Sequence, residues 1–294
     1  MRERDKYKFS IIGGDMRSIM LCRILENKGY DVHTFALDST GNTLRRCFNL
    51  YEAVSLSDVL IFPIPFSVEN GLYLNAPFHT GKIEISSIVK TLIDLNYKGI
   101  IAGGKVPQSI KGNSFCVVDL LERDDLAILN SVPTAEGALQ IAMEELPYTI
   151  RGSKALVCGM GRVGSTLARL LKNVGADVTV AVRKSKDSAI CEAEGLHHTN
   201  YDNLPNILPN MRLIYNTVPA LIFNSDLLDY VSSDSILIDL ASMPGGVDFT
   251  YAKAKQLRVI HALSLPGKVA PEDAAEIIQK VIFNILNERN YKRS

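Results

Sequence analysis

The residues of this chain with the clearest chemical purpose lie in one glycine-rich loop. The run GMGRVG at 159–164 has the spacing G-x-G-x-x-G, and it stands between an apolar, strand-like segment at 155–158 and a segment of helical period. There the first glycine permits a tight turn, the second admits a pyrophosphate, and the third allows close packing of helix on strand. A chance glycine turn is the alternative. The predicted dinucleotide contacts are Gly159, Met160, Gly161, Arg162, Val163 and Gly164.

The loop after the next predicted strand decides which dinucleotide fits. An acidic side chain there would bond the ribose 2′-OH and repel a 2′-phosphate, whereas this chain has AVRKSKD at 181–187. Cations and a hydroxyl can form charge-assisted bonds to that extra phosphate. We therefore predict that Arg183, Lys184 and Ser185 bind NADP, with NAD possible, although a solvated basic loop is the alternative.

Three further loops follow predicted strands at the same end of the same sheet: NTVP at 216–219, DLASMPGG at 239–246 and LPGKVAP at 265–271. Ligands of open α/β sheets bind beyond the carboxyl ends of the strands, although Pro and Gly are also ordinary turn residues. The predicted cofactor contacts are Thr217, Val218, Pro219, Asp239, Leu240 and Ala241, and the predicted substrate contacts are Ser242 and Lys268.

The first half of the chain offers weaker candidates. IIGGDMR at 11–17 ends a predicted strand in two glycines but lacks the third, which indicates a weaker anion site. Arg17 could clamp a substrate carboxylate or pair with Asp15 at the surface, and the two alternatives stand about even. At 130–137, Thr134 is a candidate helix cap and substrate contact, and Glu136 a candidate catalytic group near the positive end of that helix.

The elements that must position these residues alternate short Ile- and Val-rich runs with stretches of helical period. This pattern predicts an α/β fold class with two doubly wound parallel-sheet domains, the second a Rossmann dinucleotide-binding domain. The predicted domains are 1–132, completed by a C-terminal helix at 271–289, and 147–268, with a crossover helix at 133–146. The 294 residues suit two such domains, at about 150 residues each.

Composition excludes several classes of protein. With 32 basic and 32 acidic residues the net charge is zero, so we expect no nucleic-acid or membrane partner. The five cysteines form no C-x-x-C pair and the histidines no metal-ligand spacing, so no metal site is predicted and a reducing cytoplasm fits best. The charged N-terminus MRERDKYK carries no predicted targeting segment. Hydrolase and kinase motifs are also absent from the sequence.

Several longer segments carry a family resemblance: IIGGDMR (11–17), ERDDLAILNSVPTAEGALQIAMEE (122–145), CGMGRVGSTLAR (158–169), NTVPALIFN (216–224), DLASMPGGVDF (239–249) and LPGKVAPEDAAEII (265–278). Together they resemble the dipicolinate synthase A-chain family over nearly the whole chain. The resemblance implies a cytoplasmic oxidoreductase of the sporulation mother cell that branches from lysine biosynthesis. It implies formation of dipicolinate from a dihydrodipicolinate-type precursor with NADP or NAD, acting on a CH–CH type bond, beside the flavoprotein-like B chain of dipicolinate synthase. We also expect a homo-oligomer.

The wider relatives, D-2-hydroxyacid dehydrogenases, carry an Arg where this chain has Ser242 and a Pro-His pair where it has Pro266-Gly267. Without the histidine as a base and the arginine as a carboxylate ligand, a hydroxyacid substrate is disfavoured. A dihydropyridine, in contrast, gains aromaticity on oxidation, so a weaker base is enough. Its two carboxylates still need cations, for which Arg17 and Lys268 are the candidates. Two alternatives stay open: a non-catalytic cofactor-binding or scaffold subunit, and a 2-hydroxyacid or amino-acid dehydrogenase.

Overall fold

The computed structural model of the protein describes residues 7–38 and 44–291, so most of the charged N-terminal segment discussed above lies outside the described residues. The chain divides into two compact units, the first formed by Met1–Leu129 with Ala270–Ser294 and the second by Asn130–Val269. Among the described residues, no helix combines the length and the hydropathy that crossing a bilayer requires.

The first unit contains one parallel five-stranded sheet and a small antiparallel hairpin. Its strands are β1 (Lys8–Ile12), β2 (Asp31–Phe35), β3 (Val59–Ile61), β4 (Ser67–Val68), β5 (Tyr73–Leu74), β6 (Ile100–Gly103) and β7 (Cys116–Asp119). Its helices before the unit boundary are α1 (Met16–Asn27), α2 (Leu50–Ser55), α3 (Ile85–Asp94) and α4 (Gln108–Lys111). The sheet order is β2-β1-β3-β6-β7, which is a doubly wound order, and β4 pairs with β5.

Helix α5 (Asp124–Glu145) differs from the predicted crossover helix at 133–146, because Pro133 lies inside it and not in its first turn. The predicted start was therefore wrong. Two acidic residues, Asp124 and Asp125, occupy the true first turn, where they suit the positive end of the helix dipole. An interior proline costs the helix one hydrogen bond, and the burial of Ala135 and Ala138 beyond it keeps the helix packed.

The second unit is a six-stranded, all-parallel sheet in the order β10-β9-β8-β11-β12-β13. Its strands are β8 (Lys154–Cys158), β9 (Asp177–Ala181), β10 (His197–Thr199), β11 (Leu213–Asn216), β12 (Ile236–Asp239) and β13 (Arg258–His261). Its helices are α6 (Arg162–Asn173), α7 (Ser185–Ala193), α8 (Leu204–Ile207), α9 (Ser225–Leu228), α10 (Phe249–Ala254) and α11 (Leu265–Val269). The order reverses between β8 and β11, the switch point at which Rossmann domains bind dinucleotides.

These sheets confirm the predicted fold class. Every residue of β3, β11 and β12 is buried, as expected for parallel strands covered on both faces, whose sequences read as continuous apolar runs. Strand β10 was missed, because its two histidines are exposed and resemble a surface pair in the sequence. An edge strand exposed on both faces has no hydrophobic pattern that would reveal it.

The last helix, α12 (Pro271–Tyr291), completes the core of the first unit. Its buried residues Ala275, Ile278 and Val281 share one hydrophobic cluster with residues of α1 and β1. At its far end, Glu288 forms an ion pair of 2.8 Å with Arg123, just before α5. The two ends of the first unit's sequence are thus joined by both apolar and charged contacts.

The Arg123 cluster leads to a prediction about stability and pH. A hydrogen bond from Arg123, and a weaker effect of one from Asn284, lower the pKa of Asp125 to about 2. A carboxylate whose pKa is lower in the folded than in the unfolded chain adds stability above the unfolded pKa of about 4, and that contribution disappears as the pH falls toward 2. We expect Asp125→Asn to lower the free energy of unfolding at neutral pH by about 1 kcal/mol, since the pair is partly exposed to solvent.

Urea unfolding of the wild type and of Asp125→Asn, measured from pH 7 down to pH 2, tests this prediction. The difference between the two proteins should shrink as the pH falls below 4. The control is Asp234→Asn, whose exposed side chain forms no hydrogen bond with the described residues. A difference that stays constant over the whole pH range would show that Asp125 does not stabilise the fold through its charge.

Candidate functional site

The loop after β8 has the geometry that its glycines predict. Gly159 has a φ of +96°, and a Cβ atom there would lie 2.8 Å from Thr217 Oγ1. A Cβ on Gly164 would lie 2.1 Å from the Gly159 carbonyl oxygen, so α6 packs too closely on the turn for any side chain. At Gly161, in contrast, a Cβ would meet no atom within 4 Å. The second glycine therefore faces open space, where a ligand can approach the backbone.

Helix α6 begins directly at this open space. Gly161 is its N-cap residue, and no side chain caps the helix, so its first N–H groups donate no hydrogen bond to a capping side chain. The first amides of a helix carry partial positive charge, and uncapped ones form an anion site. Arg162 at the first helical position is exposed, as is Gly161. The arrangement suits a pyrophosphate, which is the anion that the sequence predicts here.

A groove of about 520 Å³ lies beside Arg183, at the end of β9. Tyr201 lines it, and burial raises the pKa of this tyrosine to about 12, against the opposing effect of the nearby Arg183 charge. Arg183, Lys184 and Ser185 are all exposed, and Lys184 is the N-cap of α7 without a side-chain capping bond. The groove is also lined by Leu204, Pro205, Leu221, Ile222 and Tyr230. The carboxylates of Asp202 and Asp226 also line it, and its volume and apolar side chains suit an aromatic base.

Sequence reasoning missed the groove-lining Tyr201, Leu221 and Tyr230. These residues come from two separate segments that follow β10 and β11, and no spacing rule connects them in the sequence. In the folded chain these residues are marked by the unusual exposure of large apolar side chains, since Leu221 is 61% exposed and Tyr230 is 47% exposed. Exposure is a property of the folded chain, so sequence alone could not reveal it.

The loops after β11 and β12 are held together by a buried carboxylate. Asp239 is fully buried, and its oxygens accept hydrogen bonds from Asn216 Nδ2 at 2.8 Å, from the Ala241 N–H at 3.1 Å and from the Gly246 N–H at 2.7 Å. Asn216 in turn bonds the backbone of Val218. Asp239 and Ala241 were predicted to touch a cofactor, and that role stays a prediction. In the structure, the Asp239 side chain joins the two loops by hydrogen bonds and thereby fixes their shape.

The buried network leaves no space for a side chain at Gly245 or Gly246. A Cβ on Gly246 would lie 2.1 Å from Asn216 Nδ2, and one on Gly245 would lie 2.7 Å from Asp239 Oδ2. The glycines of the 239–246 loop thus let the backbone close around the carboxylate. Thr217, Val218 and Leu240 are partly exposed and Pro219 is exposed, so these four remain accessible to a ligand at the strand ends.

Asp239→Asn should destabilise the second unit. An asparagine at this position presents an N–H₂ group to backbone or side-chain N–H donors, so at least one buried donor loses its acceptor, at a cost of about 2 kcal/mol. We expect a lower urea midpoint with an unchanged slope. Asp234→Asn, in the same unit and exposed, is the matched control. A midpoint for Asp239→Asn equal to that of the control would contradict the network's role.

The glycine turns after β1 and β8 share one hydrogen bond, because Gly159, like Gly13, donates its N–H to a carbonyl oxygen at the end of the neighbouring strand, that of Ala181. They differ at the next residue. The Gly13 N–H donates to the Phe35 carbonyl oxygen and the Gly14 N–H to the Asn75 carbonyl oxygen, each at 2.8 Å. A Cβ on Gly13 would lie 3.0 Å from the Leu74 side chain. The turn is covered by the segment that follows β5, and the Gly14 N–H is already bonded to that segment. This argues against the weaker anion site predicted there.

Arg17 is paired with Asp15, which is one of the two alternatives left open by the sequence. Its Nε lies 2.9 Å from Asp15 Oδ1 and its Nη2 lies 2.7 Å from Asp15 Oδ2, and Nη2 also donates to the Ile64 carbonyl oxygen. The pair is not at the surface, because the Arg17 side chain is only 8% exposed. A role for either residue in binding substrate remains a prediction.

The other predicted substrate and catalytic residues are spread over the second unit. Thr134 is an interior residue of α5 and not a cap, since its Oγ1 donates to the Asn130 carbonyl oxygen at 2.7 Å. Glu136 is exposed on the same helix, more than two turns from its start, so the predicted closeness to the positive helix end was wrong. Ser242 and Lys268 are both exposed, in the loop after β12 and in α11 respectively. Their roles stay predictions.

Two family models match the chain. The N-terminal domain of the dipicolinate synthase A chain matches residues 8–113, and the D-isomer specific 2-hydroxyacid dehydrogenase NAD binding domain matches residues 133–242. The A chain of dipicolinate synthase of Bacillus subtilis (strain 168) is 31% identical over 96% of this chain and 96% of its own length.

Two solved structures are similar over almost their full length. The A chain of dipicolinate synthase from Bacillus halodurans superposes with a TM-score of 0.85 at 30% identity, covering 95% of this chain and 97% of that one. The A chain of dipicolinate synthase from Bacillus subtilis gives a TM-score of 0.86 at 30% identity, covering 97% of each.

Proposed function

The chain belongs to the dipicolinate synthase A-chain family, and from that premise we propose that it is the oxidoreductase subunit that forms dipicolinate from a dihydrodipicolinate-type precursor. Its dehydrogenase-type NAD binding domain supports a nicotinamide dinucleotide cofactor. The observation that carries the proposal is the loop after β8, where an uncapped helix start and the open space at Gly161 lie at the switch point of the sheet. When bound, the cofactor supplies the hydride acceptor.

The residues of the second unit fit such a cofactor. Gly161 and the first amides of α6 suit the pyrophosphate, and the apolar groove beside Arg183 suits the adenine ring. We propose that Arg183, Lys184 and Ser185 bind a 2′-phosphate, which makes NADP the preferred form and NAD the weaker one. Met160, Val163, Thr217, Pro219 and Leu240 would border the rest of the cofactor.

The substrate's two carboxylates need cations or hydrogen-bond donors. Lys268, Ser242 and Thr134 are proposed contacts, of which Ser242 and Lys268 are exposed. Arg17 would take part only if its bidentate pair with Asp15 were exchanged for a substrate carboxylate, which would leave Asp15 without its main partner. Lys268 is therefore the more accessible of the two cations proposed for the dicarboxylate.

We propose the partners and the setting from the family. The relatives are named as one subunit of a synthase, which implies a second chain, and we propose that this partner is the flavoprotein-like B chain of dipicolinate synthase. We propose further that the chain also associates with itself, and that the complex acts in the cytoplasm of the mother cell of a sporulating bacterium, on a branch of lysine biosynthesis.

Purified chain, incubated with freshly prepared dihydrodipicolinate and NADP in the presence and absence of the partner subunit, tests the proposal. We expect reduced cofactor and dipicolinate to form in equal amounts, more slowly with NAD. Turnover without the partner would exclude the non-catalytic scaffold alternative. No dipicolinate under any pairing would overturn the proposed reaction, and turnover of 2-hydroxy acids instead would favour the dehydrogenase alternative.

A further inference from the structure

The groove beside Arg183 carries negative charge that a phosphate ligand does not explain. The carboxylates of Asp202 and Asp226 line it together with the guanidinium of Arg183, and all of its lining residues belong to the second unit. Neither carboxylate forms an ion pair with the described part of the chain, and Asp226 accepts one hydrogen bond, from Ser225 Oγ at 3.3 Å. A 2′-phosphate is attracted by the guanidinium and repelled by the carboxylates, so only a hydrogen-bond donor elsewhere on the ligand could use them.

Asn224 lines the same groove two positions before Asp226, and its amide has a fixed orientation. Asn224 is the N-cap of α9, and its Oδ1 accepts a hydrogen bond from the Leu227 N–H at 3.0 Å. The oxygen of the amide is therefore used by the cap, which leaves Nδ2 as a donor. No described residue accepts a hydrogen bond from this Nδ2. Asn224 thus offers the groove a donor, and Asp226 offers it an acceptor.

The segment that carries this donor and this acceptor is bonded to the loop after β12. The N–H groups of Ile222 and Phe223 donate to the Gly246 carbonyl oxygen at 3.0 and 2.9 Å. The Phe223 carbonyl oxygen accepts a hydrogen bond from the Asp248 N–H at 2.9 Å, and the Phe223 side chain is fully buried. A segment held in this way loses little conformational entropy when a ligand binds. The backbone that positions the donor and the acceptor is therefore fixed before a ligand arrives.

The walls of the groove suit the faces of a base but cannot distinguish one base from another. Leu221 and Ile222 supply apolar surface, and the aromatic rings of Tyr201 and Tyr230 line the same space. Stacking on an aromatic ring is available to every base, because every base has a π face. Discrimination among bases must therefore come from polar groups that meet the edge of the ring.

Adenine has an edge that matches this donor and acceptor. Its 6-amino group donates hydrogen bonds, and the ring nitrogen on either side of that group, N1 or N7, accepts one. Hypoxanthine and guanine carry an oxygen at position 6, which is an acceptor and would face the Asp226 carboxylate. Two acceptors that meet leave both without a hydrogen bond, which costs binding free energy. The polar groups of Asn224 and Asp226 therefore favour adenine among the purines.

We propose that Asp226 and Asn224 determine the base specificity of the cofactor site. Asp226 accepts a hydrogen bond from the 6-amino group of adenine, and Asn224 Nδ2 donates one to the neighbouring ring nitrogen. This rests on the dinucleotide proposed above and deepens it, because it adds a choice among bases to the choice between NADP and NAD. Asp202 lies on the other segment of the groove, after β10, and is assigned no contact with the base edge.

Titration calorimetry of the full chain tests this proposal with two ligands, NADP and its hypoxanthine analogue, in which an oxygen replaces the 6-amino group. The quantity to compare is the ratio of the two dissociation constants. We expect the wild type to bind NADP about tenfold more tightly than the analogue, since a matched pair of hydrogen bonds to a base edge discriminates by about that factor. Both ligands carry the same nicotinamide, pyrophosphate and 2′-phosphate, so the ratio reports on the base alone.

Asp226→Asn is expected to bring this ratio close to one, because an asparagine can turn either its oxygen or its N–H₂ group toward the base. Asp202→Asn is the matched control, since it removes the same charge from the same groove and should keep the wild-type ratio even where it changes both affinities. Asn224→Ser keeps a capping oxygen and the charge of the groove but loses the Nδ2 donor, so NADP should bind about tenfold more weakly. The wild-type ratio and Asn224→Ser also decide the proposal if Asp226→Asn does not fold.

The outcomes separate this proposal from the proposed function. A wild type that forms dipicolinate but binds NADP and the analogue equally overturns the base specificity alone. Equal ratios in Asp226→Asn and Asp202→Asn overturn the role of Asp226, and wild-type NADP affinity in Asn224→Ser overturns that of Asn224. A wild type that forms no dipicolinate but shows the tenfold ratio, lost in Asp226→Asn, supports the base site and overturns only the proposed reaction. A wild type that binds neither ligand overturns both the cofactor and this proposal.

Discussion

Gly161→Asp is expected to abolish binding of NADP at micromolar concentrations. The position has ordinary backbone angles, with φ −77°, and open space around a Cβ, so the variant should fold normally. Its carboxylate would stand at the start of α6, where the pyrophosphate is expected. Two like charges about 4 Å apart at an effective dielectric constant of about 20 repel by about 4 kcal/mol, which corresponds to about a thousandfold loss of affinity.

Titration calorimetry or cofactor fluorescence measures this loss directly. Gly161→Ala is the matched control, because it adds the same Cβ atom without the charge and should lose much less affinity. Thermal unfolding of both variants should match the wild type. Full NADP affinity in Gly161→Asp would show that the loop after β8 does not hold the pyrophosphate.

Arg183→Asp is expected to reverse the cofactor preference. Arg183 is exposed and is the proposed partner of a 2′-phosphate. A carboxylate there would instead repel the phosphate and accept a hydrogen bond from the ribose 2′-OH of NAD. Loss of one charge-assisted bond, together with the new repulsion, should weaken NADP binding by about a hundredfold. NAD binding should stay equal or improve.

Lys186→Asp is the control for this variant, since it changes the charge of the same loop by the same amount at an exposed position that is not a predicted contact. The ratio of the two dissociation constants, for NADP and for NAD, is the quantity to compare. If Arg183→Asp and Lys186→Asp change this ratio equally, the effect is one of general charge and Arg183 does not recognise the phosphate.

Much of the fold could be predicted because its signals are local. Strands such as β11 and β12 are short apolar runs, and α6 ends where Gly175 adopts a φ of +89°. Local signals also explain two of the errors in the predicted elements. Pro133 is a strong helix-start signal, but the acidic residues in the first turn of α5 and the packing beyond the proline outweigh it. The exposed β10 carries no pattern that marks it as a strand.

The glycine turns show where sequence reasoning about the site ends. The turns after β1 and after β8 look alike in the sequence, yet Gly14 donates its N–H to Asn75 while Gly161 faces open space. What separates them is a hairpin inserted about sixty positions after the first turn, whose path is a matter of tertiary packing. A motif defines which turn is possible, and the neighbouring chain decides whether a ligand can reach it.

The sequence by itself determined the α/β class, the dinucleotide-type loop at 159–164 and the basic loop at 183–185, because glycine spacing, helical period and strand hydrophobicity act within a few residues. Only the tertiary structure decided that Asp239 is a buried link between two loops and that Arg17 is held by Asp15. A side chain's hydrogen-bond partner depends on where distant segments cross, and that is settled when the sheets and their connections pack.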